Sequence, residues 1–176
     1  MANTITLTEL LAKSPDEVAD FLSGIYEHSP WVAKALTSKT PNYSQTIHTV
    51  SDLASSMKTI VDDASTEMKM ALLNAHPDLC EKVTKLQELT KESQEEQSNA
   101  GLQSLTDEEL EKFTSFNTTY RTKYSFPFIL AVRNVTKYTV LAALEGRLSN
   151  PPEKEFTIAI DQVHKIAWMR ILSKIN

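Results

Sequence analysis

Apolar residues recur along most of the chain at every third or fourth position, the spacing that places side chains on one face of an α-helix. Leu53, Met57 and Ile60 form one such stripe. No segment shows the strict alternation of apolar and polar residues that is typical of a half-buried strand. Helical stripes fall within residues 18–26, 31–35, 51–61, 68–75, 110–120, 140–144 and 153–175.

Residues that cap helices precede several of these stripes. Ser14-Pro15-Asp16-Glu17 has the form of a capping box with proline at the first helical position. Thr106-Asp107-Glu108-Glu109 is a second capping sequence, and Ser65 starts a helix after a break. Asn134 or Thr136 is expected to cap the helix that carries the 140–144 stripe.

The stripes stop at three sequences that contain proline, because the residue before a proline is disfavoured in the α region. These are His76-Pro77-Asp78, Phe126-Pro127-Phe128 and Asn150-Pro151-Pro152. Together with the caps, they predict an all-α fold. We expect a single compact domain over residues 1–176, with about eight helices, some of them short, and no significant β-sheet.

Composition and charge narrow the function classes. The chain has 176 residues, 41% of them hydrophobic, and only three glycines, which argues against a turn-rich β-sandwich. The formal net charge is −5 and the lysines are scattered among acids, whereas nucleic-acid binding needs clustered Lys and Arg. Cys80 is the single cysteine, so no intramolecular disulfide can form.

No targeting or membrane segment is expected. The first ten residues, MANTITLTEL, lack the basic and long apolar regions of a signal peptide. No apolar run approaches the length that spans a membrane. The chain ends in Ser173-Lys174-Ile175-Asn176, which is not the Ser-Lys-Leu peroxisomal signal. We therefore expect a cytoplasmic protein.

Arg170 is the single charged residue in the apolar sequence Ile166–Leu172. A guanidinium keeps its charge in proteins, so its burial requires an anionic partner. One interpretation is a structural ion pair, or an arginine whose head group reaches solvent. The other is an arginine that binds a substrate carboxylate through its bidentate fork.

His76 stands at the end of a helical stripe and is followed by a proline. A stiff backbone fixes the orientation of the imidazole, which suits a group that exchanges a proton near neutral pH. The alternative is a histidine that only complements the C-terminal end of the helix dipole.

The polar sequence 93–102 also has two interpretations. Ser93 and Glu96 have capping-box spacing, and Gly101 fits the position that follows a helix, so a short surface helix is one of them. The other is a turn that presents backbone N–H groups and Gln97 to a ligand.

Phe126-Pro127-Phe128-Ile129 combines aromatic core residues with a stretch that cannot be helical throughout. Its backbone polar groups need partners, and an amide-rich heterocycle could supply some of them. The histidines at positions 28, 48, 76 and 164 show no close pairing, and there is no Gly-rich phosphate loop or Gly-x-Ser-x-Gly sequence. We therefore expect no metal and no cofactor, which leaves acid–base and electrostatic catalysis.

In this order, these sequences resemble the 2-oxo-4-hydroxy-4-carboxy-5-ureidoimidazoline (OHCU) decarboxylase family over about residues 5–175. The most specific blocks are Ala75-His76-Pro77-Asp78-Leu79 and Ser93-x-x-Glu96-Gln97-x-x-Ala100-Gly101-Leu102. Four further blocks match: Phe116-Asn117-x-x-Tyr120, Phe126-Pro127-Phe128-Ile129, Leu144-Glu145-x-Arg147-Leu148-x-Asn150 and Ile166-Ala167-x-x-Arg170. The chain departs from the family pattern at Ser125, where glycine or arginine is frequent.

The resemblance implies an all-α, cofactor-independent carboxy-lyase that converts OHCU into (S)-allantoin during urate degradation in purine catabolism. It implies that His76 is the catalytic acid–base, with Glu96 and Arg170 as its polar partners. Enzymes of this family are often homodimers, so the expected partners are the small-molecule substrate and a second copy, without nucleic acid or membrane. The implied substrate contacts are Pro77, Ser93, Gln97 and the backbone of Phe128, Ile129, Leu130, Ala131 and Val132.

Two alternatives stay open on the sequence. A non-enzymatic helical interaction module predicts an exposed apolar groove and no small polar cavity. The second alternative is a decarboxylase or hydrolase that acts on another ureido or hydantoin compound. The sequence does not distinguish this alternative from an OHCU decarboxylase. The enzyme interpretation predicts that His76, Glu96 and Arg170 converge in one cavity.

Overall fold

The computed structural model describes residues 4–39, 42–79, 102, 104–133 and 135–176. Within them the regular secondary structure is helical, and the one β-type pairing is an isolated bridge between Ile5 and Ile175. The all-α prediction is confirmed. The described helices are α1 (Leu7–Leu11), α2 (Pro15–Leu22), α3 (Trp31–Lys39), α4 (Tyr43–Thr46), α5 (Val50–Asp62), α6 (Thr66–Asn74), α7 (Asp107–Tyr124), α8 (Lys137–Arg147) and α9 (Pro152–Lys174).

The chain divides into two compact units. Unit 1 comprises Met1–Ala75 and His164–Asn176, and unit 2 comprises His76–Val163. Helix α9 therefore begins in unit 2 and ends in unit 1. The prediction of a single domain stays a prediction. No helix of the described residues combines the length and the apolar character needed to cross a membrane.

Unit 1 is built on the packing of α2 against α3 and of α3 against α5. The two chain ends also meet, since the Ile5 N–H donates to the Lys174 carbonyl at 3.1 Å and the Asn176 N–H donates to the Ile5 carbonyl at 3.0 Å. Aliphatic residues at helical spacing fill the interior, as the stripes predict. The largest fully buried side chains of this unit are Leu10, Leu22, Ile25, Leu36, Leu53, Met57, Leu72 and Leu73.

Capping boxes close the N-termini of four of the described helices. In each box the hydroxyl of the capping residue accepts a hydrogen bond from a backbone N–H in the first turn, and the carboxylate three residues on accepts one from the backbone N–H of the cap. The pairs are Thr6 with Glu9, Ser14 with Glu17, Thr49 with Asp52 and Thr106 with Glu109.

Several helix boundaries agree with the sequence and others do not. Ser65 and Thr136 are caps, as predicted, and Thr136 rather than Asn134 has that role. Helix α2 ends at Leu22 and not near Tyr26, because the Ser23 N–H bonds to the Asp20 carbonyl and tightens the last turn.

Three further differences lie in unit 1. The short helices α1 and α4 are additions to the prediction. The Thr6-x-x-Glu9 spacing carries the signal for α1, whereas α4 is a single turn with Asn42 in the left-handed region at its start. Met68 belongs to a predicted apolar stripe but is 41% exposed.

In unit 2, α7 packs against α8 and ends at Tyr124, and its C-cap Ser125 has a φ of 64°, in the left-handed region. The chain then continues without helix through residues 126–132. Aromatic rings surround the start of this segment. Tyr120 lies edge-on to Phe126 and Phe128, with ring centroids 5.9 and 5.3 Å apart. The break predicted at Pro127 is thus confirmed, and the aromatic residues beside it belong to the core.

The capping carboxylates predict a loss of stability in acid. Hydrogen bonds from the Ser14 hydroxyl and then from its backbone N–H lower the pKa of the Glu17 carboxyl below 4.5. Because the folded state favours the ionised form, this contribution is present above the ordinary pKa and is lost as the pH falls through the lowered one. Glu17→Gln should therefore weaken the dependence of the unfolding free energy on pH between about pH 6 and about pH 3.

The measurement is urea unfolding, followed by circular dichroism, at several pH values. Asp16→Asn is the matched control, since it removes a negative charge from the same first turn without removing the capping carboxylate. An identical pH dependence in Glu17→Gln and wild type would contradict the prediction.

Candidate active site

Arg170 is buried in unit 1 and has the anionic partner that its burial requires. The side chain lies on α9, and the residue is 3% exposed. Its Nη1 atom lies 2.7 Å from Oε2 of Glu27, a residue that is itself 1% exposed. Nη1 also donates to the Gly24 carbonyl at 3.4 Å. The interpretation in which the arginine head group reaches solvent is therefore wrong.

Glu27 occupies the connection between α2 and α3. The Ser29 N–H donates to the Tyr26 carbonyl at 3.1 Å, and His28 between them has a φ of 42°. Tyr26, Glu27 and Ser29 are buried, whereas His28 is exposed. This tight turn therefore places one carboxylate in the interior beside Arg170, and the neighbouring imidazole in solvent.

The pair with Glu27 is compatible with both remaining interpretations of Arg170. It is a buried structural ion pair, as the first interpretation requires. A guanidinium has five N–H donors, and the two contacts given above use Nη1. Glu27 thus compensates the charge of Arg170 through Nη1.

His76 follows directly on the end of α6. The helix ends at Asn74, Ala75 is its C-cap, and His76 begins a non-helical turn in which it is 7% exposed. The break predicted at Pro77 is confirmed. A buried imidazole beside a proline has restricted rotational freedom, as expected for a catalytic histidine.

Two side chains of α7 hold the turn that follows His76. Nδ2 of Asn117 donates to the Leu79 carbonyl at 2.6 Å, and Nη2 of Arg121 donates to Oδ2 of Asp78 at 3.1 Å. Within the residues that the structure describes, Oδ1 of Asp78 and Oδ1 of Asn117 are buried and have no hydrogen-bond partner. The turn is therefore fixed to α7, and one of these two buried acceptors lies on the turn and the other on α7.

His164 is also enclosed, but both of its ring nitrogens are occupied. Nδ1 lies 3.0 Å from the Tyr26 hydroxyl, and Nε2 lies 3.0 Å from Oδ1 of Asp62. These three side chains form a hydrogen-bonded chain, and Tyr26 and His164 line a surface cavity of about 210 Å³ in unit 1. Burial raises the pKa of Tyr26 well above its ordinary value, so its hydroxyl stays a neutral donor. This arrangement explains His164 as a structural residue and leaves His76 as the acid–base candidate.

The predicted binding segment, residues 128–132, is packed into unit 2. Phe128, Ile129 and Val132 are buried, while Leu130 and Ala131 are half-buried. Two side chains hold its backbone: Nη1 of Arg147 donates to the Ile129 carbonyl at 2.7 Å, and the Ala131 N–H donates to Oε1 of Gln162 at 3.0 Å.

The remaining candidates Ser93, Glu96 and Gln97 lie outside the described residues. His76 belongs to unit 2 and Arg170 to unit 1. The convergence of His76, Glu96 and Arg170 in one cavity therefore stays a prediction. Among the described residues, no three His, Cys, Asp or Glu side chains group as metal ligands would.

Sequence reasoning missed three charged residues that organise these regions: Glu27, Arg147 and Glu155. Arg147 belongs to a block that matches the family, but the block alone gives no role for it. Glu155 stands in the first turn of α9, where an acidic residue is explained by the helix dipole alone. The sequence indicates that a buried Arg170 needs an anionic partner. It does not show which of the 23 acidic residues is that partner.

Comparison with known proteins identifies relatives along nearly the whole chain. The sequence profile of the OHCU decarboxylase family matches residues 12–172. A protein of Haloferax volcanii named 2-oxo-4-hydroxy-4-carboxy-5-ureidoimidazoline decarboxylase is 39% identical over 172 residues, which cover 98% of this chain and 97% of that protein.

Two solved structures share the fold. A crystal structure of (S)-allantoin synthase superposes with a TM-score of 0.80 and 52% sequence identity over 97% of this chain, although the match spans only 54% of that longer chain. A crystal structure of OHCU decarboxylase in the presence of (S)-allantoin superposes with a TM-score of 0.67 over 87% of this chain and 96% of the other. At 21% identity, the second likeness shows the fold alone.

The ion pair between Glu27 and Arg170 predicts a large effect on stability. Glu27→Ala leaves a permanent positive charge buried without this carboxylate, which should lower the unfolding free energy by about 3 kcal/mol or more. The pair between Lys58 and Asp62 is solvent-exposed, so Lys58→Ala should cost at most about 1 kcal/mol. Urea unfolding of both variants measures the difference. Equal losses in the two variants would show that Glu27 does not compensate the charge of Arg170.

Proposed function

The chain belongs to the OHCU decarboxylase family, and we propose that it catalyses the cofactor-independent decarboxylation of OHCU to (S)-allantoin in urate degradation. The observation that carries the proposal is the family match over residues 12–172, which includes a buried arginine and a buried histidine at the two described positions of the expected triad. These are Arg170 and His76.

The reaction needs an environment that stabilises negative charge and controls one proton. The bond between a ring carbon and the carboxylate breaks, CO₂ leaves, and the electron pair passes into the adjacent unsaturated group of the ring. One proton then returns to a ring carbon. Delivery of that proton to a single face gives the (S) product. Fixed charges and donors supply such stabilisation best when they are held in place before the reaction.

Arg170 and His76 suit these two tasks. In this proposal Arg170 binds the anionic groups of the substrate, while the ion pair with Glu27 holds the guanidinium of Arg170 in position. His76 contacts the carboxylate or hydroxyl side of the substrate and manages the proton, since an imidazole exchanges protons near neutral pH. The anchoring of the following turn by Asn117 and Arg121 supports a fixed position for this group.

The remaining candidates would grip the ureido and ring amides. Glu96 and Gln97 bind N–H groups of the substrate, Pro77 and Ser93 line the site, and the backbone of residues 128–132 supplies further contacts. The substrate could also be a related ureido or hydantoin compound, which the same groups would bind. The cytoplasmic location and the homodimer implied by the resemblance stay predictions.

The test of the proposed activity uses fresh substrate. Urate is oxidised in the cuvette and the oxidation product is hydrolysed to generate OHCU, the purified protein is added, and circular dichroism follows the appearance of optically active allantoin. We expect rapid formation of the (S) enantiomer. Racemic allantoin formed at the spontaneous rate would reject the proposal.

Replacement of His76 tests its role in that assay. His76→Ala should lower the rate by about 10²-fold or more, because it removes the general acid–base, and should leave the far-ultraviolet circular dichroism unchanged. His48→Ala is the matched control, since His48 is exposed in unit 1 and should retain full activity. Near-normal turnover in a folded His76→Ala variant would remove His76 from the mechanism.

A further inference from the structure

We propose that Arg147 and Gln162 are positioning residues, which hold residues 128–132 so that the backbone of Leu130 faces the amide groups of the substrate. The identity of that ligand rests on the proposed function, whereas the positioning itself does not. Arg147, Gln162 and residues 128–132 all belong to unit 2.

Arg147 connects the segment to a buried carboxylate. Its Nε donates to Oε1 of Glu155 at 2.7 Å, and its Nη2 lies 2.5 Å from the same oxygen. The remaining amino group, Nη1, donates to the Ile129 carbonyl at 2.7 Å. The guanidinium also lies 4.5 Å from the centroid of the Phe128 ring, within the range of a cation–π contact. One planar group thus fixes two consecutive residues of the segment.

Glu155 is itself held on every side, so the orientation of Arg147 is determined. The residue is fully buried, and the Tyr120 hydroxyl donates to its Oε1. Nδ2 of Asn150 donates to its Oε2 at 2.7 Å. Burial, together with the hydrogen bond to Glu155, raises the pKa of Tyr120 far above its ordinary value, so the phenol remains a donor. These bonds fix Glu155, and Glu155 in turn fixes the Nε side of Arg147.

Gln162 fixes the segment two residues further on. Its Oε1 accepts the Ala131 N–H at 3.0 Å from α9. Protein side chains therefore hold the carbonyl of Ile129 and the N–H of Ala131. In an extended chain the backbone groups of residues 129 and 131 would face one side, and those of residue 130 the other.

Leu130 lies between these two fixed points. In the part of the chain that the structure describes, neither its N–H nor its carbonyl has a hydrogen-bond partner. A donor and an acceptor on one residue match the N–H and carbonyl groups of a ureido group or a cyclic amide, as an extended peptide edge matches a second strand. The side chains on the far side determine where this edge lies.

This role differs from simple core stabilisation. The pair between Arg147 and Glu155 would stabilise the unit without any contact to the backbone of the segment. The bond from Ala131 to Gln162 is remote from that pair in sequence and involves a neutral side chain. Arg147 and Gln162 thus bind alternate residues of the same segment independently of each other. We infer that the position of the segment itself is what these two side chains maintain.

Gln162 offers the cleaner experiment, because its replacement leaves the buried ion pair intact. Gln162→Leu removes the acceptor of the Ala131 N–H at similar size, and Gln162→Glu retains an oxygen at that position. Gln45→Leu is the control, since Gln45 is exposed in unit 1. We expect KM to rise about tenfold in Gln162→Leu, as for the loss of one well-placed hydrogen bond. The value of kcat should change less, and Gln162→Glu should restore KM.

Hydrogen exchange of the backbone amides of residues 128–132 supplies a readout that needs no activity. Exchange should accelerate in Gln162→Leu and in Arg147→Lys, because an ammonium cannot reproduce the planar fork that joins Glu155 and Ile129. It should match wild type in Gln45→Leu. Unchanged exchange in both variants of unit 2 would overturn the positioning role.

The two readouts separate this inference from the proposed function. If the wild type fails to form (S)-allantoin, the proposed function is rejected while the exchange data still decide whether the segment is held. If the wild type is active and exchange accelerates without any change in KM, the segment is held for stability alone and the inference is overturned.

Discussion

A guanidinium cannot shed its charge, and this constraint organises both units. Arg170 in unit 1 and Arg147 in unit 2 are almost fully enclosed, and each lies against a carboxylate that is more deeply buried than itself. Removal of two charges from water costs several kcal/mol per ion unless hydrogen bonds complete the shell. The chain meets that requirement with the Gly24 carbonyl in one unit and with Tyr120, Asn150 and the Ile129 carbonyl in the other.

Both pairs fix irregular backbone rather than helix. Glu27 belongs to the turn between α2 and α3, and Arg147 holds the chain after α7. A hydrophobic contact could stabilise these regions equally well, but it would not determine the direction of a carbonyl or the plane of a guanidinium. The proposed reaction requires those directions, because charge that develops during loss of CO₂ must meet donors already in place.

The sequence predicted what is encoded locally. The caps at Ser14, Ser65 and Thr106 and the breaks at Pro77 and Pro127 are confirmed, because a cap or a proline acts on the next few residues of its own chain. The need of Arg170 for an anion was predictable for the same reason, since it follows from an apolar stripe around one charge.

What sequence could not supply is the identity of distant partners. Glu27 and Arg170 are far apart along the chain, and nothing in the spacing of either marks the other. The end of α2 at Leu22 was also missed, because Ile25 and Tyr26 continue the apolar pattern although they are buried in a turn. At this point, residues buried in a turn have the same spacing as residues on the buried face of a helix.

The left-handed conformation of Ser125 has a consequence for how this family can change. A residue with a side chain pays about 1 kcal/mol or more for that conformation, whereas glycine pays none. Glycine also gives the unfolded chain more freedom. Compared with glycine, serine adds local strain to the folded state but loses less conformational entropy on folding. Ser125, three residues before the predicted binding segment, is therefore a position where substitution can shift the balance between stability and rigidity.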